Sequence, residues 1–276
     1  MTSSTDSVRV TGLSKRFGGM VAVDDLSFSI PRGSALGLVG ESGSGKTTAA
    51  RMVAGLVRPD AGSITFSDRQ RDANMRGRAG RLARARDVQM VFQNPYLSLD
   101  PRVSVGDCLQ EVIKLHFGGT TVTRSARVRT LLDQVGLSAR EERAMPRQLS
   151  GGQRQRVAIA RALATEPRLL ILDEAVAALD VSTQAQILNL LADIRKETSV
   201  SYLFVSHDLA VVRYVTEQLL VLYRGKMVES GPTGAVLADA KHPYTRLLLS
   251  SVPRRGWDPA RIGELRRELA VEPAQM

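Results

Sequence analysis

The chain has 276 residues of ordinary globular composition, 43% hydrophobic and 24% charged, which excludes wholesale disorder and permits a large core without covalent staples. Cys108 has no partner for an internal disulfide, His116, His207 and His242 are too scattered for a metal site, and no apolar run reaches the roughly 18–20 residues of a membrane helix. The net charge of +10, carried mostly by arginine, points to an anionic partner without choosing among nucleotide, nucleic acid and acidic membrane surface.

The N-terminus, MTSSTDSVRV, leads into no apolar stretch that could act as a secretion signal, so a cytoplasmic protein is expected. Val8–Leu13 and Val21–Ile30 read as antiparallel strands, the second alternating and ending at the turn Pro31-Arg32-Gly33. A short apolar run, Ala35–Val39, follows. Similar runs recur at Val88–Phe92, Leu169–Leu172, Tyr202–Val205 and Leu219–Leu222, as parallel strands covered on both faces require. Helix-period segments separate them; in Thr183–Arg195, residues Ile187, Leu190, Leu191 and Ile194 form one apolar stripe. The expected fold is therefore α/β: a mainly parallel sheet with an N-terminal antiparallel β subdomain. The stretch from about Val105 to Ala164 has few strand signals and reads as an inserted α-helical subdomain. Asp68–Asp87 holds seven arginines and reads as a solvated loop and helix, a nucleic-acid patch being the weaker alternative. The charged tail after Pro253 is expected to be loosely held.

Chemistry concentrates at three places. GESGSGKT, Gly40 to Thr47, directly follows the strand Ala35–Val39 and opens a helix expected over Lys46–Leu56. In such a loop, glycines let backbone N–H groups and a helix N-terminus face phosphate oxygens. Lys46 would reach the β- and γ-phosphates, and the Thr47 hydroxyl would ligate Mg²⁺. RLLILDE, Arg168 to Glu174, is a buried strand delivering Asp173 beside that loop, where it can hold Mg²⁺, with Glu174 next in line to orient or deprotonate a water. LSGGQRQR, Leu149 to Arg156, is a second small-residue helix start, opening a helix expected over Gln153–Ala164.

Phosphate loop, LSGGQ and Asp-Glu strand end, in that order, resemble the ATP-binding cassette family: a P-loop NTPase core whose sites form between two cassettes packed head to tail. The resemblance implies an ATP-binding set of Phe17, stacking on adenine, with Gly40, Glu41, Ser42, Gly43, Ser44, Gly45, Lys46, Thr47 and Thr48. The alternative for Phe17 is a core aromatic. It implies Mg²⁺ ligation by Thr47, Gln93 and Asp173, and catalysis by Glu174, His207, Gln93 and Lys46. His207 alone would be a structural histidine; 33 residues after Glu174, in the right motif order, it matches the family's histidine at the γ-phosphate. Leu149, Ser150, Gly151, Gly152 and Gln153 would complete the partner's ATP site, and Ala178, Leu179 and Asp180 would cross the dimer interface. By the same resemblance, residues 1–253 are one ATPase domain, with 1–92 and about 166–240 as nucleotide-binding core and about 93–165 as helical subdomain. Residues 241–276 would form a C-terminal extension and tail.

FQNPYLSLDPR, EAVAALDVSTQAQILNLL, SHDLAVVRYV and HPYTRLLLSSVP are similar to the ATPase subunits of oligopeptide, dipeptide and nickel importers. HPYT lies outside the motifs that ATP chemistry demands and reads as a subfamily marker. The implied setting is the cytoplasmic face of a bacterial-type cell membrane. Expected partners are a second ATPase subunit (a paired relative or a copy of this chain), two membrane permease subunits and an extracytoplasmic substrate-binding protein. Peptides would be the cargo, with nickel chelates and glutathione as alternatives; no nucleic acid is expected. The rival reading is a soluble cassette ATPase acting on nucleic acid in repair or translation. Two departures stand out: Ala175-Val176-Ala177 where relatives usually have a proline and a serine, and no cysteine cluster for iron–sulfur.

Overall fold

The computed structural model describes residues 6–67, 69–70, 77–251 and Leu265. Strands β1 (Asp6–Phe17) and β2 (Met20–Pro31) form an antiparallel hairpin, turning at Gly18-Gly19. Alternation buries Val8 and Val10 on one side of β1, and a register irregularity at the left-handed Gly12 brings Leu13 into the same core. Strand β3 (Ala35–Val39) is buried along its whole length, as its uninterrupted apolar run requires. Helix α1 (Lys46–Ala54) ends two residues before the expected Leu56, because Gly55 turns left-handed at φ 77° and its N–H closes on the Met52 carbonyl at 3.0 Å. Strands β4 (Ala61–Phe66) and β5 (Arg69–Gln70) complete a four-stranded sheet in the order β2-β1-β4-β5. The arginine-rich segment supplies α2 (Gly77–Asp87), followed by β6 (Val88–Phe92); Asp68 and residues 71–76 of that segment lie outside the described residues.

A helical run then intervenes: a 3-10 turn at Pro95–Ser98, α3 (Val105–Phe117), α4 (Thr121–Gln134), α5 (Ala139–Arg143), a 3-10 turn at Pro146–Gln148, and α6 (Gly151–Leu163). Leu109, Ile113, Val128, Leu132 and Val157 form its core. The chain returns through β7 (Leu169–Asp173), α7 (Val181–Thr198), β8 (Ser201–Val205), α8 (Leu209–Val215), β9 (Gln218–Tyr223), β10 (Lys226–Pro232), α9 (Thr233–Ala238) and α10 (Pro243–Ser250). β6 and β7, on either side of the helical run, are parallel neighbours.

The second sheet has the order β10-β9-β3-β8-β7-β6, parallel except where β10 pairs antiparallel with β9. Its two faces feed two cores. Leu36, Leu38, Ile171, Leu203, Val205 and Leu220 meet the antiparallel sheet and α1. Leu170, Leu172, Tyr202, Phe204, Leu219 and Val221 meet the helices of the other side. With β3 in the middle of the order, the carboxyl ends of β3, β8, β7 and β6 line one edge of the sheet. That edge is where ligands bind in open α/β sheets. The tail after Pro253 lies outside the described residues, apart from Leu265.

Candidate nucleotide site

The loop leaving β3 is shaped by two glycines that admit no side chain. A Cβ on Gly40, at φ 153°, would sit 2.3 Å from the Leu222 carbonyl oxygen; one on Gly45, at φ 105°, would sit 2.2 Å from the Ala22 carbonyl oxygen. The Gly225 N–H donates to the Ser44 carbonyl at 2.9 Å, so the β9–β10 turn holds the loop from one side. Gly45 is the N-cap of α1 and offers no side-chain cap, which leaves the first-turn N–H groups of α1 to an external acceptor. The Lys46 ammonium is buried, donating to the carbonyls of Gly40 at 2.8 Å and Glu41 at 2.7 Å. Burial holds it below its ordinary pKa, with the carboxylates of Glu174, Asp173 and Glu41 pulling the other way.

Across the sheet edge, the Thr47 hydroxyl donates to Asp173 Oδ1 at 3.3 Å. Asp173 ends β7 almost wholly buried, and burial raises its pKa against the Thr47 hydrogen bond. Its register partner on β6 is Phe92, so the exposed Gln93 follows one residue beyond the same edge. Glu174 turns left-handed at φ 49°, pinned by its N–H to the Val205 carbonyl at 2.9 Å. Its carboxylate meets His207 Nδ1 at 3.1 Å; a carboxylate only accepts, so Nδ1 carries the proton of this bond. The motifs at residues 40–47, 93, 173–174 and 207 are thus brought to one edge.

Phe17 lies at the end of β1, 48% exposed with the Lys15 ammonium 5.4 Å from its ring centroid, which removes the core-aromatic alternative. Residues Leu149–Gln153, the LSGGQ signature, form a separate turn. Ser150 caps α6, accepting from the Gln153 N–H at 3.2 Å, while Gln153 Oε1 accepts from the Ser150 N–H at 2.9 Å. The helix begins at Gly151, two residues before the expected Gln153, since Ser150 provides that cap. A Cβ on Gly152 would sit 2.5 Å from Thr183 Cγ2, and one on Gly151 3.8 Å from Leu179, so this turn packs on the start of α7. There Asp180 caps α7, accepting from the Thr183 N–H at 2.9 Å and the Ser182 hydroxyl at 2.6 Å. Ala175 and Val176 are buried, Ala177 and Ala178 exposed, and the turn lacking the expected proline is closed by Ala177 N–H to Glu174 O at 3.1 Å.

One residue was invisible to motif reading. Tyr244, in the HPYT segment expected to lie apart from nucleotide chemistry, is fully buried, and its hydroxyl accepts the Glu41 N–H at 2.7 Å. The tail marker therefore touches the phosphate loop. The apolar run Leu247–Leu249 beside it signals a packed segment, yet nothing in sequence names the partner of the Tyr244 hydroxyl.

The residues fit ATP with a divalent cation: a backbone cradle that two Cβ atoms would fill, a helix start without a side-chain cap, a buried cation, and an oxygen pair at Thr47 and Asp173. Among the described residues, no group of three His, Cys, Asp or Glu side chains could by itself hold a metal ion. A cation here would need oxygens from the nucleotide as well.

Comparison with known proteins agrees. The ABC transporter family model matches residues 23–177, and a model for the oligopeptide/dipeptide transporter C-terminal region matches residues 228–273. A Brucella abortus relative, named for peptide import as an ATP-binding protein, is 50% identical over 84% of this chain and 70% of its own. The oligopeptide transport ATP-binding protein OppF of Bacillus subtilis is 45% identical over 86% of this chain and 77% of its own. The glutathione import ATP-binding protein GsiA of Salmonella typhi is 46% identical over 87% of this chain, which spans only 38% of that relative. Among solved structures, cbiO1 of Clostridium perfringens, part of an ABC transporter complex, is 26% identical with a TM-score of 0.77, covering 96% of this chain and all of that one. A dimeric, post-hydrolysis ATP-binding cassette bound to ADP and Pi is 27% identical with a TM-score of 0.73, covering 82% of this chain and 98% of that one. The chain belongs to the ABC transporter family as one of its ATPase subunits, and ends in the region that marks oligopeptide/dipeptide transporters.

Proposed function

We propose that this chain hydrolyses ATP on the cytoplasmic face of a cell membrane to drive import of peptides through separate permease subunits. The observation that carries the chemistry is the convergence of Lys46, the Thr47–Asp173 pair at 3.3 Å and the Glu174–His207 pair at 3.1 Å on one sheet edge. Lys46 stabilises charge on the γ-phosphate, having only to exchange loop carbonyls for phosphate oxygens. Glu174 orients the attacking water and accepts its proton, while His207 fixes the Glu174 carboxylate and adds positive or dipolar character at the γ-phosphate. Gln93, at the entrance to the helical run, links the site to that run. Phe17 stacks on adenine. Mg²⁺, held by Thr47, Asp173 and Gln93, would neutralise charge on the β- and γ-phosphates. Positioning and electrostatics supply most of the rate.

Ser150, Gly151 and Gly152, with Leu149 and Gln153, serve the ATP of a second cassette, and Ala178, Leu179 and Asp180 lie in the interface between the two. The Ser150 hydroxyl accepts within its own cap and keeps its proton to donate to a phosphate. No helix among the described residues is long and apolar enough to cross a membrane. Two permeases, a second cassette and an extracytoplasmic substrate-binding protein complete the system. Relatives named for peptide, oligopeptide and glutathione import favour peptides, glutathione included, over the nucleic-acid reading.

Glu174→Gln tests the assignment. Nucleotide binding should persist, hydrolysis should fall at least about a hundredfold, and an ATP-bound dimer should accumulate on size exclusion. Hydrolysis near the parent rate would remove Glu174 from its role.

A further inference from the structure

We infer that Tyr244 is a positioning residue for the phosphate loop, its hydroxyl holding the Glu41 N–H and so fixing how the loop leaves β3. This rests on the nucleotide reading above and adds the C-terminal segment to the binding machinery. The Glu41 peptide region is gripped by three residues: Tyr244 takes its N–H at 2.7 Å, Lys46 donates to its carbonyl at 2.7 Å and to that of Gly40 at 2.8 Å, and the Ser44 N–H donates to the Glu41 carbonyl at 3.2 Å. Lys46 must let go of those carbonyls to reach a phosphate. Tyr244 then keeps hold of the Glu41 N–H, beside the backbone bonds from Ser44 to the Glu41 carbonyl at 3.2 Å and from Gly225 to the Ser44 carbonyl at 2.9 Å, while the lysine is engaged elsewhere.

The tyrosine is itself firmly held. It is fully buried, and its ring packs on that of Tyr223 with centroids 4.1 Å apart. Its N–H donates to His242 Nδ1 at 3.1 Å, so the histidine of HPYT caps α10. The N–H groups of Lys241 and His242 in turn donate to the two oxygens of Glu229 on β10, at 2.8 and 3.1 Å. A line of hydrogen bonds thus runs from β10 through HPYT to the phosphate loop. Burial pushes the Tyr244 phenol up to about 12, so the hydroxyl stays neutral at any physiological pH.

The test compares MgATP affinity and thermal midpoint of the full chain with Tyr244→Phe, Glu229→Gln and Tyr202→Phe. Tyr202 is a fitting control: equally buried, it donates to the Leu191 carbonyl at 2.8 Å. Tyr244→Phe should weaken MgATP binding about fivefold, or about 1 kcal/mol, the size of one hydrogen bond. Its KM should rise while the rate at saturation holds within about twofold. Glu229→Gln should weaken binding about twofold, through a looser Tyr244. Tyr202→Phe should lower the thermal midpoint as much as Tyr244→Phe and leave affinity alone. Affinity unchanged in Tyr244→Phe, or reduced equally in Tyr202→Phe, overturns the inference. If Tyr244→Phe fails to fold, unchanged affinity in Glu229→Gln overturns it instead. A parent chain that binds no MgATP would overturn the nucleotide reading itself, and this assignment with it.

Discussion

Two helix starts built from small residues, Gly40–Thr47 leading into α1 and Leu149–Gln153 leading into α6, treat the same orphaned N–H groups in opposite ways. At α1 the N-cap is a left-handed glycine with no side-chain cap; at α6 Ser150 and Gln153 satisfy each other in a closed capping box. The first start is left open for an anion, and strained glycines and a buried lysine hold it open. The second is finished without a ligand and stands as a rigid edge against Leu179 and Thr183. The contrast teaches that a glycine-rich helix start is not one device: whether it binds within its own chain depends on what already occupies its donors.

The largest effect should come from closing the open start. Gly45→Ala puts a Cβ 2.2 Å from a backbone oxygen at a φ that side chains avoid, costing about 1–3 kcal/mol or more and abolishing nucleotide binding by titration. Binding within about tenfold of the parent would deny the loop its role.

Asp173→Asn sharpens the picture of a site kept ready at some cost. Burial raises this carboxyl above its unfolded value, so the folded chain holds the proton more tightly, and stability falls as pH rises from about 4 through the raised folded pKa. At pH 7 the nucleotide-free variant should therefore melt higher than the parent. The gain should vanish near pH 4, and Mg²⁺-dependent hydrolysis should fall at least about a hundredfold. A lower melting point at pH 7 would contradict this account of Asp173.

Ser150→Ala is the mildest. Loss of the cap should cost about 1 kcal/mol in thermal unfolding, with MgATP affinity of the isolated chain within about twofold of the parent. A parallel loss of affinity would mean the two starts are coupled within one chain.

What the sequence made legible follows from burial. β3 and β6 have the bounds their apolar runs announce, because both faces of each strand meet side chains. β4 and β10 escaped notice: AGSITF and KMVESGP have no apolar run, and β10 is an edge strand held by its pairing with β9. The early end of α1 was readable in Gly55, and the early start of α6 in Ser150, both local signals. The convergence of the candidate site was legible where motif order encodes it: Thr47 and Asp173 meet, and so do Glu174 and His207. The bond from Tyr244 to Glu41 was not, since it joins residues 203 apart through an oxygen and an N–H with no pattern in common.

The middle position of β3 has a bearing on biosynthesis. Its neighbours β8 and β9 begin at Ser201 and Gln218, and the tyrosine that holds its loop comes later still. A nascent chain long enough to display the phosphate loop, the signature and the Asp-Glu strand end still lacks every sheet partner of β3. At about 5–20 residues per second, the 203 residues from Glu41 to Tyr244 take a ribosome about 10–40 s. Until β8 is made the nascent loop has neither its strand's neighbours nor its tyrosine, and until Tyr244 follows, the ATP around it meets an unfinished cradle.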